Sequence, residues 1–373
     1  STITTADFTV TNGSLATPSC SGTPTVCTLS VTPAGQGIVS ITASGAFSVA
    51  DPAGNVATTT VTGSDRSVTY DSVAPTLTLA QAATQADPTN VRTIAFTLSA
   101  NEVLDATTVT AADFSVSDGT ITAISCAAGT SCTITVSAIA DGIVSISLAP
   151  SAGFSVTDLA GNAQTAAGGA DRQVTYDTIA PTLSLAQAAT QADPARLSPI
   201  SFTLTTSETL DASTVTAADF SVTNGSVSTI SCSGLACTIS IAPAGQGVVS
   251  LALSGAFSVA DPAGNAATSA TTGDLSVTYD TVAPTVTLEQ GSMQSDPTSG
   301  SLIAFRVTAT EDLSTGSVTS SDFTYGNATF SSIEVVNARW IRIWVTASAQ
   351  GAVTIAPSGT FSVSDVAGNA TAT

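Results

Sequence analysis

The sequence predicts an all-β chain, a tandem array of seven-stranded β-sandwiches, and three observations carry that prediction. Apolar residues alternate with small polar ones at a period of two, β-branched residues fill the alternating runs, and one hexapeptide recurs at domain-sized intervals. That hexapeptide is Tyr70-Asp71-Ser72-Val73-Ala74-Pro75, found again as Tyr176-Asp177-Thr178-Ile179-Ala180-Pro181 and Tyr279-Asp280-Thr281-Val282-Ala283-Pro284. Its prolines stand 106 and 103 residues apart, too far for a solenoid repeat and right for one complete small domain.

Residues 74–179 show the strands most plainly. Leu77 and Leu79, then Ile94, Phe96 and Leu98, then Ile134 and Val136, then Val144, Ile146 and Leu148 each alternate with polar neighbours, and no helical spacing persists. Seven strands are expected near 76–80, 92–99, 113–117, 120–126, 132–137, 142–149 and 172–177. Asp118-Gly119, like Asn12-Gly13 and Asn224-Gly225 in the neighbouring repeats, reads as a two-residue hairpin turn. Seven short antiparallel strands in a stretch of this length make an immunoglobulin-like sandwich.

Alignment on Asp-Phe (Asp7-Phe8, Asp113-Phe114, Asp219-Phe220, Asp322-Phe323) divides the chain into four repeats. The first, 1–73, is expected to lack its first two strands. The second, 74–179, and third, 180–282, are whole; the fourth, 283–373, stops before its last strand. The chain is therefore expected to be a window on a longer polypeptide, with any leader or anchor outside it. Strands donated by another subunit are the alternative way to complete the end repeats.

All seven cationic residues are arginine, against 27 acidic ones, for a net charge of -20. A surface that acidic repels nucleic acid and anionic membranes and favours multivalent cations. No apolar run approaches the length of a membrane span, so no membrane insertion is expected in this segment. Only 9% of residues are charged and Ser, Thr, Ala, Gly and Val dominate, which suits a long-lived extracellular or cell-surface protein.

The six cysteines form three close pairs, Cys20/Cys27, Cys126/Cys132 and Cys232/Cys237, one in each of the first three repeats. The loop between them varies while the pairing persists, as expected of a disulfide clamping a hairpin tip. Zinc is the rival, but it wants four nitrogen or sulfur ligands, and the chain has no histidine and two cysteines per repeat. Disulfides imply an oxidising, exported setting. Repeat four has Val335 and Trp340 at these places and is expected to hold its hairpin by packing.

The ordered set Asp-x-x-Ala-Pro, Ser207-Glu208-Thr209-Leu210-Asp211, Ala-Asp-Phe-Ser-Val and Asp-x-Ala-Gly-Asn resembles the bacterial Ig-like tandem repeats of very large surface and secreted, adhesin-type proteins. The resemblance covers the whole chain. It implies a stalk, adhesin or surface-fibre role, commonly with calcium at domain junctions. Repeat four departs from the pattern, reading Thr310-Glu311-Asp312-Leu313 and lacking the cysteine pair.

Topology decides which carboxylates meet. The linker enters strand one, so the loops after strands two and six lie at the same end of the sandwich. They bring together Asp71, Glu102, Asp158 and Asn162; then Asp177, Glu208, Asp261 and Asn265; then Asp280, Glu311, Asp365 and Asn369. Asp87 and Asp193, after strand one, lie at the far end and could reach the next joint. Carboxylates gathered without lysine repel unless neutralised, and calcium takes six to eight oxygens from side chains, backbone and water. The Asp-x-x-Ala-Pro linker also resembles the calcium-coordinating linkers of cadherins. The competing reading is turn chemistry alone, with Asp and Asn capping loops and Gly supplying positive φ.

Without histidine or lysine, Ser-His-Asp, Cys-His, Lys-nucleophile and His-zinc chemistry are all absent, so no catalytic residues and no enzymatic activity are expected. Glu102 with Asp105, or Glu208 with Asp211, could form a glycosidase pair, but such pairs are rarely copied down a stalk. Asn12, Asn224, Asn327 and Asn369 lie in glycosylation sequons that read as chance. Trp340 and Trp344 share one strand face, either as packing, as contact with a neighbouring chain, or as a sugar platform. Two functions stay open: a structural segment forming a stiff rod, fibre or sheath with copies of itself or flanking repeats, and an adhesin module gripping a glycan or protein ligand.

Overall fold

The computed structural model describes residues 2–22, 25–57, 63, 65–127, 129–150, 154–164, 167–169 and 171–372; Ser1 and Thr373, the outer limits expected for the end repeats, lie outside them. The chain divides into two compact units, Ser1–Asp177 and Thr178–Thr373. Each is all-β, built from immunoglobulin-like sandwiches.

In the second unit, residues 180–282 form two sheets. Gly225–Ser233, Ala236–Pro243, Ile200–Thr206 and Leu183–Gln187 pair antiparallel in that order, and Thr271–Thr272 adds a parallel edge to Leu183–Gln187. Phe220–Thr223, Gly247–Leu253 and Ser276–Tyr279 make the facing sheet. The alternation read from the sequence places Leu185, Ile200, Phe202, Leu204, Ile239, Ile241, Val249 and Val277 between the sheets, all fully buried. Burying side chains of this size stabilises by about 1.5–3 kcal/mol each. In the first unit, residues 74–177 repeat the plan with Leu79, Ile94, Phe96, Leu98, Ile134, Val136, Val144 and Val174. The seven expected strands are observed as Leu77–Gln81, Thr93–Ala100, Phe114–Ser117, Gly119–Ser125, Ser131–Ala138, Gly142–Leu148 and Gln173–Tyr176.

The Asp-Phe landmark proves to be a fold device. Asp113 is fully buried, and its Oδ2 accepts the Thr110 N–H at 2.7 Å and the Thr110 hydroxyl at 2.8 Å, while Oδ1 accepts the Ser155 N–H at 2.7 Å. It thereby closes a 3-10 turn, Ala111–Asp113, and ties it to the chain 42 residues on. Asp7, Asp219 and Asp322 make the same cap.

The expected two-residue hairpins at Asp118-Gly119, Asn12-Gly13 and Asn224-Gly225 are corrected by the topology. Phe114–Ser117 and Gly119–Ser125 belong to different sheets, as do the strands flanking Asn12 and Asn224. Each dipeptide is a corner, with Asn12, Asp118 and Asn224 at φ of 56°, 54° and 54°. At Gly119 the chain runs close to the neighbouring strand of its sheet, where a Cβ would stand 2.6 Å from Val136 Cγ1; the matching corner of repeat four, Asn327-Ala328, accommodates an alanine.

Disulfides join Cys20 to Cys27, Cys126 to Cys132 and Cys232 to Cys237. The last pair lies directly opposite at the tip of the hairpin between Gly225–Ser233 and Ala236–Pro243. In residues 283–373 the corresponding hairpin is Ala328–Asn337 with Trp340–Ala347. Val335 does not pack as expected; it is 55% exposed. Polar groups hold that hairpin instead: Glu334 Oε2 accepts from Arg342 Nη1 at 2.8 Å and from Trp344 Nε1 at 3.2 Å.

Residues 2–57 and 65–70 carry counterparts of the third to seventh strands, ending with Phe8–Thr11, Gly37–Ala43 and Ser67–Tyr70 in one sheet. Residues 283–372 carry counterparts of the first six, and no seventh strand is found among the described residues.

Candidate metal centres

The Asp-x-Ala-Gly-Asn loops fold the same way wherever they occur. In repeat two, Asp158 Oδ1 accepts the N–H groups of Ala160 and Asn162 at 2.7 and 2.9 Å, and Oδ2 accepts Asn162 Nδ2 at 2.8 Å, with Gly161 at φ 88°. Asp51 with Asn55, Asp261 with Asn265 and Asp365 with Asn369 make the corresponding bonds. Turn chemistry therefore accounts for the loop itself, including Asp51–Asn55, where no glutamate joins.

The loop is then fastened to the linker. Asn162 Nδ2 also donates to the Asp71 carbonyl at 3.2 Å, and Asn369 Nδ2 to the Asp280 carbonyl at 2.9 Å. Both amide nitrogens orient the loop against the linker. Asp71 and Asp280 cap their own linkers, each accepting an N–H through Oδ1, from Val73 and Val282, at 3.0 Å.

Glutamate from the end of strand two completes the group. In the first unit, Asp71, Glu102 and Asp158 each bring a carboxylate oxygen within 4.8 Å of the others; in the second, Asp280, Glu311 and Asp365 do so. Of the other expected set, Asp177 is the last residue of the first unit, while Glu208, Asp261 and Asn265 belong to the second. Asp87 and Asp193 join none of these groups: their carboxylates accept the N–H groups of Thr175 and Thr278, both at 2.9 Å. Asp105 and Asp211, considered as acid–base partners, are caps on short turns.

Electrostatics distinguish the glutamates from Asp158. Burial, then the charges of Asp71 and Asp158, push the Glu102 carboxyl above its ordinary range, and Glu102 Oε1 is buried with no hydrogen-bond partner. Burial, then Asp280 and Asp365, do the same to Glu311, opposed weakly by Arg339, which pairs with Asp312 at 2.6 Å. Burial works against ionisation of Asp158, but the bonds from Asn162, Ala160 and Gly161 outweigh it and hold that carboxyl low. An orphaned buried oxygen beside fixed carboxylates fits a hard cation that accepts mixed oxygen ligands. The groups could hold a metal ion through Asp71, Glu102 and Asp158, and through Asp280, Glu311 and Asp365.

Sequence reasoning missed the arginine share of the fourth repeat. Arg306 pairs there with Glu289, Arg339 with Asp312 and Arg342 with Glu334, and Arg342 Cζ stands 5.5 and 5.6 Å from the ring centres of Trp340 and Trp344. Glu289, Arg306, Arg342 and Glu334 stand opposite one another in a row across four neighbouring strands, an arrangement set by register and not by spacing within any one strand. The sequon asparagines are structural: Asn12, Asn224 and Asn327 donate Nδ2 to the carbonyls of Gly35, Gly245 and Ala349.

No family model matches the chain, nor does any curated protein. Among solved structures it is similar to invasin, a bacterial integrin-binding protein, at 14% identity over 76% of this chain and 57% of that one, TM-score 0.29. It is also similar to InvD of Yersinia pseudotuberculosis, at 15% identity over 80% and 89% of the two chains, TM-score 0.30. The N-terminal part of the bacterial S-layer protein SbsC is similar at 14% identity over 55% and 44%, TM-score 0.21.

Proposed function

We propose that this chain is a structural segment of a bacterial surface or secreted protein. Four immunoglobulin-like modules, 1–73, 74–179, 180–282 and 283–373, form a stiff rod, fibre or sheath outside the cell, with calcium held at the joints. The observation that carries the reading is Glu102 Oε1, buried and unpartnered between Asp71 and Asp158. A carboxylate in that position is unstable as an ion unless a cation joins it. Calcium suits the set better than magnesium, because it accepts irregular coordination by six to eight oxygens. An ion there would tie the linker aspartate to two loops of the following module and so restrict bending at the hinge.

Three disulfides support an oxidising, exported setting. No helix is long and apolar enough to cross a membrane. The charge of -20 argues against nucleic acid as a partner, leaving flanking repeats and copies of the chain. The role is non-catalytic: histidine and lysine are missing from the sequence, and the acidic groups recur at matching places in successive repeats.

A second reading, an adhesin module for a glycan or protein ligand, is favoured by the Trp340-Arg342-Trp344 strand face of the diverged fourth repeat. Calorimetric melting of the chain in chelator and in calcium separates the two. The structural reading expects a higher melting temperature and restricted inter-module motion in calcium; no change in either contradicts it.

A further inference from the structure

One sheet face of repeat four differs in kind from its counterparts. In register across four strands, Glu289 stands opposite Arg306, Arg306 opposite Arg342 and Arg342 opposite Glu334. The row lies on the side away from the core, since Val307, Ile341 and Ile343 beside its members point inward. The same row reads Ala186, Thr203, Thr238 and Ser231 in repeat three. In repeat two it reads Ala80, Thr97, Thr133 and Ser125. Trp340 and Trp344, two residues to either side of Arg342, stand where repeat three has Ala236 and Ser240. Six small positions have become charged or aromatic on one face, although repeats two and three fold without any of those side chains.

The face is not arranged for stability. Two of the chain's seven arginines, Arg306 and Arg342, are directly opposite each other, and like charges so placed repel. Their glutamates, Glu289 and Glu334, occupy the two ends of the row, and none stands between the guanidiniums. Arg306 Nε and Trp340 Nε1 are covered and find no acceptor among the described residues. Donors left in that state cost stability, and a fold breaks its local rules where the residues have another use. The face is open to a ligand: the side chains of Arg306, Arg342 and Glu334 are 35, 25 and 49% exposed, and both indoles are half-buried.

We propose that this face binds a carboxylated sugar, an inference that rests on the adhesin reading of repeat four. Charge selects the ligand. The adjacent guanidiniums offer forked N–H donors to a carboxylate, the pairing for which arginine is shaped. The glutamates at the ends of the row offer acceptors only, and so call for hydroxyl donors on either side of that carboxylate. A pyranose with one carboxylate and several hydroxyls supplies both, and its C–H groups meet the negative faces of the indoles. An acidic peptide brings carboxylates without those hydroxyls and leaves the glutamates opposed. A sulfated polymer brings dense negative charge to a chain that already carries -20. Arg342 Cζ, 5.5 and 5.6 Å from the ring centres of Trp340 and Trp344, is held in place by cation–π contact before the sugar arrives.

Both tryptophans of the chain lie on this face, so tryptophan fluorescence reports on it alone. The intact chain is titrated with oligogalacturonate and with sialyllactose, each beside its methyl ester, and with dextran sulfate and polyglutamate. Chelator keeps calcium from bridging protein and sugar and separates the result from the metal sites. A saturable fluorescence change is expected with at least one free acid, with at least tenfold weaker binding of its ester and a similar loss in R306T and R342T. Both variants restore the residue found in repeats two and three, and melting checks that they stay folded. Equal responses to acid and ester, or binding retained by both variants, overturn the proposal while the adhesin reading stands. A response to dextran sulfate or polyglutamate alone does the same. No response in any arm overturns the proposal and removes the support for the adhesin reading at this face.

Discussion

Glu102 and Asp158 bring carboxylate oxygens within 4.8 Å of each other but are held in opposite ways. Asp158 accepts from Ala160 and twice from Asn162, whereas Glu102 Oε1 is buried and accepts from nothing. The aspartate belongs to its loop. The glutamate has no comparable local role, and the metal reading rests on that difference.

The two classes of carboxyl give the chelated chain an unusual pH dependence. Glu102 and Glu311 are raised above their ordinary 4.5, so their stabilising contribution is fully present below 4.5 and is lost as pH rises through the raised folded values. Asp7, Asp51, Asp105, Asp113, Asp158 and Asp211 are held below their ordinary 3.8; their contribution is present above 3.8 and lost as pH falls through the lowered values. The melting temperature in chelator is expected to rise as pH is lowered from neutral toward 4.5 and to fall steeply below 3.8. Calcium should flatten the upper limb by taking the place of the proton. A steady decline from pH 7 downward in chelator contradicts the assignment of the glutamates.

Reduction should act on the first three repeats and spare the fourth. Each disulfide closes a short loop, with sequence separations of 7, 6 and 5. Loop-closure entropy for a ring of that size is worth roughly 2 kcal/mol. Replacing Cys232 and Cys237 with alanine is expected to lower the stability of repeat three by about that amount in denaturant unfolding. Repeat four should be indifferent to reductant.

Gly119→Ala tests the corner between sheets. The new Cβ would meet Val136 Cγ1 at 2.6 Å and the Ser137 carbonyl at 3.2 Å, so a buried strand must shift. The expected cost is about 1–3 kcal/mol by chemical denaturation, typical of overpacking. A neutral substitution would mean the crossing is looser than described.

Much of this architecture could be read in the sequence, because sandwich cores write themselves at a period of two. All seven strands of repeat two were legible to within a few residues. The corners were misread because a positive-φ residue followed by glycine is common to hairpins and sheet crossings, and only the partner strand distinguishes them. The convergence of Asp71, Glu102 and Asp158 was legible from strand direction; the unpartnered Glu102 oxygen was not, since it depends on what packs around it. Asp113 looked like an alignment mark, and its capping role emerged only with Ser155 beside it.

Burial predicts unequal costs for two equivalent phenylalanines. Phe202 is fully buried, so Phe202→Ala should cost about 3–5 kcal/mol. Phe305, its half-buried counterpart, should cost less. Urea unfolding of both variants checks this, and equal costs contradict it.

The most direct measurement is a calorimetric titration of the chelator-stripped chain with calcium, run beside E102Q and E311Q. The account predicts saturable binding, with one site lost in each variant. The site around Glu102 should be the tighter, since Arg339 partly offsets the charge at Glu311. Absence of binding heat together with an unshifted melting temperature, or titrations unaltered in both variants, would contradict it.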